Sequence, residues 1–291
     1  MNILFIGIGK MGLPMATHLK NAGHILKVID INPQQTSLAK QNGLTVGNDE
    51  DYTWAKWIIS SMPNDAAFLA IAKLISEKAQ KDTIYMDTST ISISASSQAA
   101  LWLSENHIDY LRVAVSGNNH MALAAQLTVL SSGKKEIYDQ AHELLTCWGP
   151  KVLYLGLQEQ ARLMKLVVNL MIAQTSAMLA EGLTLGRQGN LDWQDMWEVI
   201  TNSAVGSPIM KAKMAQLGKP LGERDFSPTF TVEQMIKDLS LINQAAEDFG
   251  SPIEQTKMTL GWMKQAIQDG EGQLDYAAII RVLERKAKLS N

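Results

Sequence analysis

The sequence predicts an α/β fold that gives way to an all-α one. A mostly parallel sheet with helices on both faces should fill the first half, and helices alone the second. Three observations predict this. Short apolar runs alternate with helix-length segments as far as Gly156. Beyond Gly156 no strand signal follows, and a long helical run begins at Gln158. The chain also opens on an apolar run, a glycine-spaced turn and a helix, the strand–turn–helix order with which such folds begin. At 291 residues two domains are expected, 1–160 and 161–291.

In order, Asn2 to Ile6 (NILFI) reads as a buried strand, and Gly7, Gly9 and Gly12 follow as G-x-G-x-x-G. Met11 to Asn21 reads as a helix that Gly23 stops, and Ile25 to Ile29 as a second strand closed by Asp30. That order is what a dinucleotide site requires. The first glycine permits the tight turn, the second lets the backbone approach a pyrophosphate, and the third lets helix and strand pack. The cradle Gly7, Ile8, Gly9, Lys10, Met11 and Gly12 then offers N–H groups at a helix N-terminus, where the dipole favours negative charge. The first domain is therefore expected to be Rossmann-like. A carboxylate at Asp30 would pair with a ribose 2′-hydroxyl and repel a 2′-phosphate, which favours NAD over NADP. Asp30 also reads as a strand-end turn residue, since Asn32 and Pro33 follow. Lys27 and His24 are the nearest bases, and neither stands after the strand, where a phosphate-binding arginine is expected.

Further along, Pro33 to Gln41 is a helix with proline at its start and Gly43 at its end. Trp57 to Ser61 is a strand broken by Met62-Pro63, and Ala66 to Ala79 is helical. Thr83 to Met86 is a strand leading into Asp87-Thr88-Ser89-Thr90, and Ser92 to Glu105 is a helix. Ile108 to Val115 is a strand ending in Ser116-Gly117, and Leu127 to Leu130 and Val152 to Leu155 flank a helix at Lys135 to Leu145. Ligands of such sheets bind beyond the strands' carboxyl ends, which singles out Gly7–Gly12, Met62–Pro63, Asp87–Thr90 and Ser116–Asn118. In the second half, Gln158–Arg187, Asp192–Thr201, Pro208–Gln216, Thr231–Phe249, Pro252–Gln268 and Asp275–Leu289 are predicted helices.

Composition narrows the function classes. A net charge of −3 gives no bulk reason to expect nucleic-acid or membrane partners. The apolar stretch Leu163 to Leu185 is interrupted by Lys165, Asn169, Gln174 and Glu181, so it is not read as membrane-spanning. No basic n-region and apolar h-region open the chain, and Cys147, the one cysteine, reads as a buried structural thiol; both suit a cytoplasmic protein. The five histidines are scattered without metal-ligand spacing, so no metal is expected.

Several constellations carry chemistry on one reading and none on another. Lys165 and Asn169 stand at i and i+4 in an apolar helix and share a face. The lysine is either snorkelling to solvent or desolvated in a cleft, where its pKa falls and it can exchange protons with a substrate. Asn169 would then orient it or bind a hydroxyl. Ser116-Gly117-Asn118 is either a plain turn or a nest for a carboxylate. Lys237-Asp238 is an ordinary surface pair by spacing, and Asp87 to Thr90 offers hydroxyls near a cofactor or caps for the next helix.

The chain resembles the β-hydroxyacid dehydrogenases, the group that includes 3-hydroxyisobutyrate dehydrogenase, tartronate semialdehyde reductase and the glyoxylate/succinic semialdehyde reductases. The resemblance runs over essentially the whole length, through FIGIGKMGLPMATHL (Phe5–Leu19), DTST (Asp87–Thr90), VSGN (Val115–Asn118), LT (Leu127–Thr128), KLVVN (Lys165–Asn169), DFSPTF (Asp225–Phe230) and KDL (Lys237–Leu239). It implies that the cofactor lies over Gly7 to Gly12, with Met62, Pro63 and Thr90 along its path and Lys237 reaching it from the helical half. It implies an active site between the halves, with Lys165 as general acid/base, Asn169 on the substrate hydroxyl, and Ser116 and Gly117 on the carboxylate of a small substrate. It further implies interconversion of a small β-hydroxyacid and its semialdehyde, and a homodimer or homotetramer built on the long helix.

The chain departs from the family where D-A-P-V-S-G-G is usual: it has Arg112-Val113-Ala114-Val115-Ser116-Gly117-Asn118, with Met121 and Ala125 at further glycine positions and Leu123 at an acidic one. Asn118 is expected to keep the turn by adopting the left-handed conformation, and its side chain and that of Asn119 to crowd or contact the substrate. Val168 replaces the first asparagine of K-x-x-N-N. Two other readings stand beside the dehydrogenase: a non-catalytic dinucleotide-binding protein, which the altered loop motivates, and an imine reductase-like activity, against which Lys165 speaks.

Overall fold

Strand β1 (Asn2–Ile6) is apolar at every position but its first because both of its faces are covered. Ile3 and Phe5 point to one side of the sheet, into a core with Met15 and Leu19 of helix α1 (Gly12–Asn21). Leu4 and Ile6 point to the other, into a core with Phe68, Ala72 and Ile75. Each fully buried side chain of this size contributes on the order of 1.5–3 kcal/mol, so a continuous apolar run is what a central parallel strand requires.

The computed structural model describes residues 1–220 and 222–289; residues 221, 290 and 291, within the expected domain 161–291, lie outside the described residues. The chain divides into two compact units, Met1–Lys165 and Leu166–Asn291. In the first, β1 joins β2 (Ile25–Ile29), β3 (Thr45–Val46), β4 (Trp57–Ser60), β5 (Ile84–Asp87), β6 (Asp109–Ser116), β7 (Thr128–Ser132) and β8 (Lys151–Tyr154). They form one eight-stranded sheet in the order β3-β2-β1-β4-β5-β6-β7-β8. All neighbours are parallel except β6 and β7, which pair antiparallel with Val115 opposite Val129. The Gly117–Leu127 connection between them holds only the single-turn α6 (Asn119–Leu123), too little chain for a parallel crossover. Around the sheet lie α2 (Pro33–Gln41), α3 (Asp51–Trp54), α4 (Asp65–Lys78), α5 (Ile93–Glu105) and α7 (Lys135–Thr146). Helices α1 and α7 cover one face, and α4 and α5 the other. The strand order reverses between β1 and β4, the point at which such sheets open a crevice for ligands.

The second unit is helical. Helix α8 (Gln160–Gln188) begins in the first unit and gives most of its length to the second. By length and composition alone it would pass for a membrane span, a test that core helices also pass. Its interrupting polar residues behave as packed ones do: Asn169 donates to Asp238, and Gln174 to Thr256 at 2.8 Å. There follow α9 (Trp193–Asn202), α10 (Pro208–Ala212), α11 (Met214–Leu217), α12 (Val232–Phe249), α13 (Glu254–Gln268), a 3₁₀ turn at Tyr276–Ala278 and α14 (Ile279–Lys286). The single helix expected over Pro208–Gln216 is interrupted at Lys213, which leaves helical geometry and sends its ammonium 2.6 Å from Asp275. Helix α12 starts on a Thr231/Gln234 capping box and ends on left-handed Gly250, so its bounds follow local chemistry.

Candidate active site

The glycine turn at the end of β1 does three separate things. Gly7 has φ +84°, and a Cβ there would stand 2.4 Å from the Ser61 carbonyl oxygen, so β1 and β4 hand their chains on in close contact. A Cβ on Gly12 would stand 2.0 Å from the Gly7 carbonyl oxygen, so helix α1 can meet the turn only through glycine. A Cβ on Gly9 would meet no protein atom within 4 Å. The space above Gly9 is open, as a backbone that cradles a phosphate requires. Helix α1 has no side-chain cap and no acid in its first turn, which leaves the positive end of its dipole for an anion. These residues fit a dinucleotide.

Asp30 is tied to that turn. Its Oδ2 accepts the Ile8 N–H at 2.8 Å, and its Oδ1 accepts the Asn32 N–H at 2.8 Å. The second bond is the turn reading of this residue; the first carries it into the cradle. A carboxylate has about four acceptor sites, so two remain for a ribose. The nearby bases are committed elsewhere. Lys27 pairs with Asp51 at 2.5 Å and lies over the Trp54 ring, and His24 is held toward its neutral form by burial and then by the N-terminus.

At the ends of β4 and β5 the loops lock together. Thr88 Oγ1 donates to the Ser60 carbonyl at 2.8 Å, and the Met62 N–H donates to Ser89 Oγ at 2.7 Å. Ser92 caps α5 through Ala95 at 3.0 Å, so the cap reading holds for Ser92, while Thr88 and Ser89 brace the two loops. Met62 and Thr90 are half-buried and Pro63 is exposed. Beneath them Asp87 forms a fully buried pair with Arg162, whose guanidinium also reaches two loop carbonyls. Sequence reasoning passed over Arg162. The signal was an arginine inside the apolar run of α8, but its partner is far away in the chain. Cys147 is half-buried rather than buried, and its thiol is pushed up by burial and by Glu143.

The loop after β6 differs from expectation at Asn118. Gly117 carries the unusual backbone, with φ +144° and a would-be Cβ 2.6 Å from Leu127. Asn118 is extended, at φ −112°, and is not left-handed. Its Oδ1 accepts the Met121 N–H at 3.0 Å and caps α6. The left-handed residue further on is Ala125, at φ +53°. The amide capped a new helix because α6 starts immediately after it, a short element without a legible period. His18 of α1 bonds the Ala122 carbonyl at 2.9 Å, tying α6 to the cofactor helix.

Gly7–Gly12, Asp30, Met62–Pro63, Thr90 and Ser116–Asn118 thus all stand at the carboxyl ends of neighbouring strands β2, β1, β4, β5 and β6. Lys165 is half-buried on α8, at the end of the same unit. In the helical unit Asn169 is buried and donates to Asp238 Oδ2, while Lys237 Nζ stands 3.0 Å from Asp238 Oδ1. The reading of Lys237-Asp238 as a surface pair is therefore corrected: Asp238 is 1% exposed. Its spacing from Met235, Leu239 and Ile242, all buried, places it on the inner face of α12. Among the described residues no group of three His, Cys, Asp or Glu side chains is arranged to hold a metal.

Two family models cover the chain. The NAD binding domain of 6-phosphogluconate dehydrogenase matches residues 2–156, and the NAD-binding domain of NADP-dependent 3-hydroxyisobutyrate dehydrogenase matches residues 160–283. The chain belongs to the β-hydroxyacid dehydrogenase family. It is 28% identical to 2-(hydroxymethyl)glutarate dehydrogenase of Eubacterium barkeri, over 98% of this chain and 96% of that protein. It is 27% identical to the mitochondrial 3-hydroxyisobutyrate dehydrogenase of Drosophila melanogaster, over 98% and 90% respectively. A solved structure of Mycobacterium tuberculosis 3-hydroxyisobutyrate dehydrogenase with L-serine superposes with a TM-score of 0.89 at 25% identity, covering 97% of this chain and 99% of that one. Membership in the β-hydroxyacid dehydrogenases accounts for the glycine cradle and for a helical second half. It leaves the substrate and the choice of NAD or NADP to the residues themselves.

Proposed function

We propose that this β-hydroxyacid dehydrogenase interconverts a small β-hydroxyacid and its semialdehyde with NAD(H), using Lys165 as the general acid/base. The observation that carries the reading is the pair Lys165 and Asn169, one turn apart on α8, with the Asn169 amide held by the buried Asp238 carboxylate. A fixed amide beside a half-buried lysine is what a hydroxyl-bearing carbon needs at the moment its proton moves. The nicotinamide supplies or accepts the hydride. Lys165 Nζ gives a proton to the carbonyl oxygen during reduction and takes it back during oxidation. Asn169 orients that oxygen, and the Ser116 hydroxyl and Gly117 N–H hold the substrate carboxylate. Gly7 to Gly12 hold the pyrophosphate, and Met62, Pro63, Thr90 and Lys237 are further proposed cofactor contacts. Asp30 favours NAD, because its remaining acceptor sites suit a ribose hydroxyl and repel a phosphate. The assembly is proposed as a homodimer or homotetramer.

The test is a panel of small hydroxyacids and their semialdehydes, assayed with NADH and NADPH side by side and repeated with Lys165→Met. Loss of one general acid lowers turnover about 100- to 10,000-fold. Near wild-type turnover in Lys165→Met would remove the lysine from the mechanism. Cofactor binding with no turnover on any substrate would favour a binding protein instead.

A further inference from the structure

Arg162 is the most deeply buried cation in the sheet unit, with a side chain 1% exposed against an Asp87 side chain at 0%. Its Nη1 donates to the Ser89 carbonyl at 2.6 Å. Its Nη2 donates to the Asp87 carbonyl at 3.1 Å, to Asp87 Oδ1 at 2.6 Å and to the Tyr110 hydroxyl at 3.0 Å. One guanidinium thus spans the carbonyls on either side of Thr88, and Thr90 is the next residue after Ser89. Close by, Glu159 pairs with Arg112 at 2.7 Å, and Arg112 lies over the Tyr110 ring at 4.5 Å. The charges Arg112, Glu159, Arg162 and Asp87 alternate in sign along the seam where the start of α8 meets β5 and β6.

Stability alone does not call for such a group. Apolar residues of similar volume hold a core as well as a buried ion pair, and often better. What an arginine fork adds is geometry: several acceptors at fixed distances from one planar group. Lys165 follows Arg162 by three residues, about 4.5 Å further along the helix axis and roughly 60° around it. Whatever fixes Arg162 in place fixes the root of Lys165.

We propose that Arg162 is a positioning residue, which sets the first turns of α8, and through them the Lys165 ammonium, against the Asp87–Thr90 loop. This rests on the reading of Lys165 as acid/base and of Thr90 as lining the cofactor. A displacement of about 1 Å at a reacting group costs on the order of 100-fold in rate, so the link has catalytic weight without touching substrate.

The experiment uses the full-length protein with Arg162→Lys and Arg162→Met, read by NADH titration, by kcat and KM on a substrate from the panel above, and by the pH profile of kcat. Turnover should fall about 10- to 1,000-fold, with NADH affinity falling far less than kcat, because the glycine cradle and Asp30 are untouched and only the carbonyl beside Thr90 is released. Arg162→Lys keeps the charge but spans fewer acceptors, so it should lie between wild type and Arg162→Met. The pH limb belonging to Lys165 should move in both. A folded variant with wild-type kcat overturns the proposal, and so does a loss of NADH binding in step with kcat, which marks a scaffold role. If Arg162→Met does not fold, Arg162→Lys decides. If no substrate turns over, the Lys165 titration followed by ¹⁵N NMR serves instead: a shift in Arg162→Lys supports the link and an unchanged titration overturns it. Wild-type turnover in Lys165→Met would defeat the parent reading, and the link from Arg162 to Lys165 would then be decided by the Lys165 titration alone.

Discussion

Asp30 Oδ2 accepts the backbone N–H of Ile8 at 2.8 Å, so the acid after β2 is bonded into the glycine turn after β1. One carboxylate thus shapes the cradle, and on the proposed reading it also meets the cofactor's sugar. Asp30→Ala should weaken NADH binding about tenfold or more, since a hydrogen bond to a charged group contributes roughly 1.5–3 kcal/mol. It should also narrow the gap between NADH and NADPH. Fluorescence titration with both cofactors checks this, and a wild-type preference for NADPH would refute the role given to Asp30.

The glycines of the cradle should separate by experiment. Gly9→Ala places a methyl in open space, so stability should change by less than about 0.5 kcal/mol while cofactor binding is lost. Gly12→Ala places a methyl 2.0 Å from the Gly7 carbonyl oxygen and should cost about 2 kcal/mol or more of stability. Denaturant melts beside NADH titrations distinguish the two. A Gly9→Ala protein that binds NADH normally would mean that the phosphates lie elsewhere.

Ala125 holds φ +53°, a conformation that costs a residue with a Cβ about 1–2 kcal/mol. Glycine relieves this strain and returns part of the gain through a freer unfolded chain. Ala125→Gly should therefore stabilise the protein by about 0.5–1 kcal/mol, visible as a higher melting temperature. A lower one would show that the left-handed turn is not strained.

In the helical unit, Lys213 and Asp275 form a pair with side chains 8% and 0% exposed. Lys213→Met strands Asp275 and should cost about 3–5 kcal/mol. Burial holds the Lys213 pKa below its ordinary 10.5, against the pull of Asp275. Between the folded value and 10.5 the unfolded chain binds more protons, so this lysine makes stability climb with pH in that window. Chemical melts of both proteins across that alkaline window test the sign; a climb that persists in Lys213→Met assigns it to another group.

How much of this was legible depended on the range of each interaction. Strands β1, β4 and β5 were legible because burial on both faces demands unbroken apolar runs. The cradle was legible because its glycines act within a few residues of one another. Elements of one turn or two residues, α3, α6 and β3, show no period long enough to read. The break at Lys213 and the burial of Arg162 arise from partners 62 and 75 residues away, which no local pattern registers. Asp238 was readable in principle, because its spacing on α12 matches that of its buried neighbours.

The cap that Asn118 places on α6 has an evolutionary corollary. Gly117 supplies the turn, so residue 118 owes the backbone only a side-chain oxygen. Serine and aspartate meet that demand as well as asparagine, and threonine somewhat less well, while all differ in size, charge and hydrogen-bond donors. The position can therefore be exchanged among these four without remodelling the loop, which makes it, if Asn118 contacts substrate as expected, a low-cost handle for natural drift or directed evolution of substrate preference.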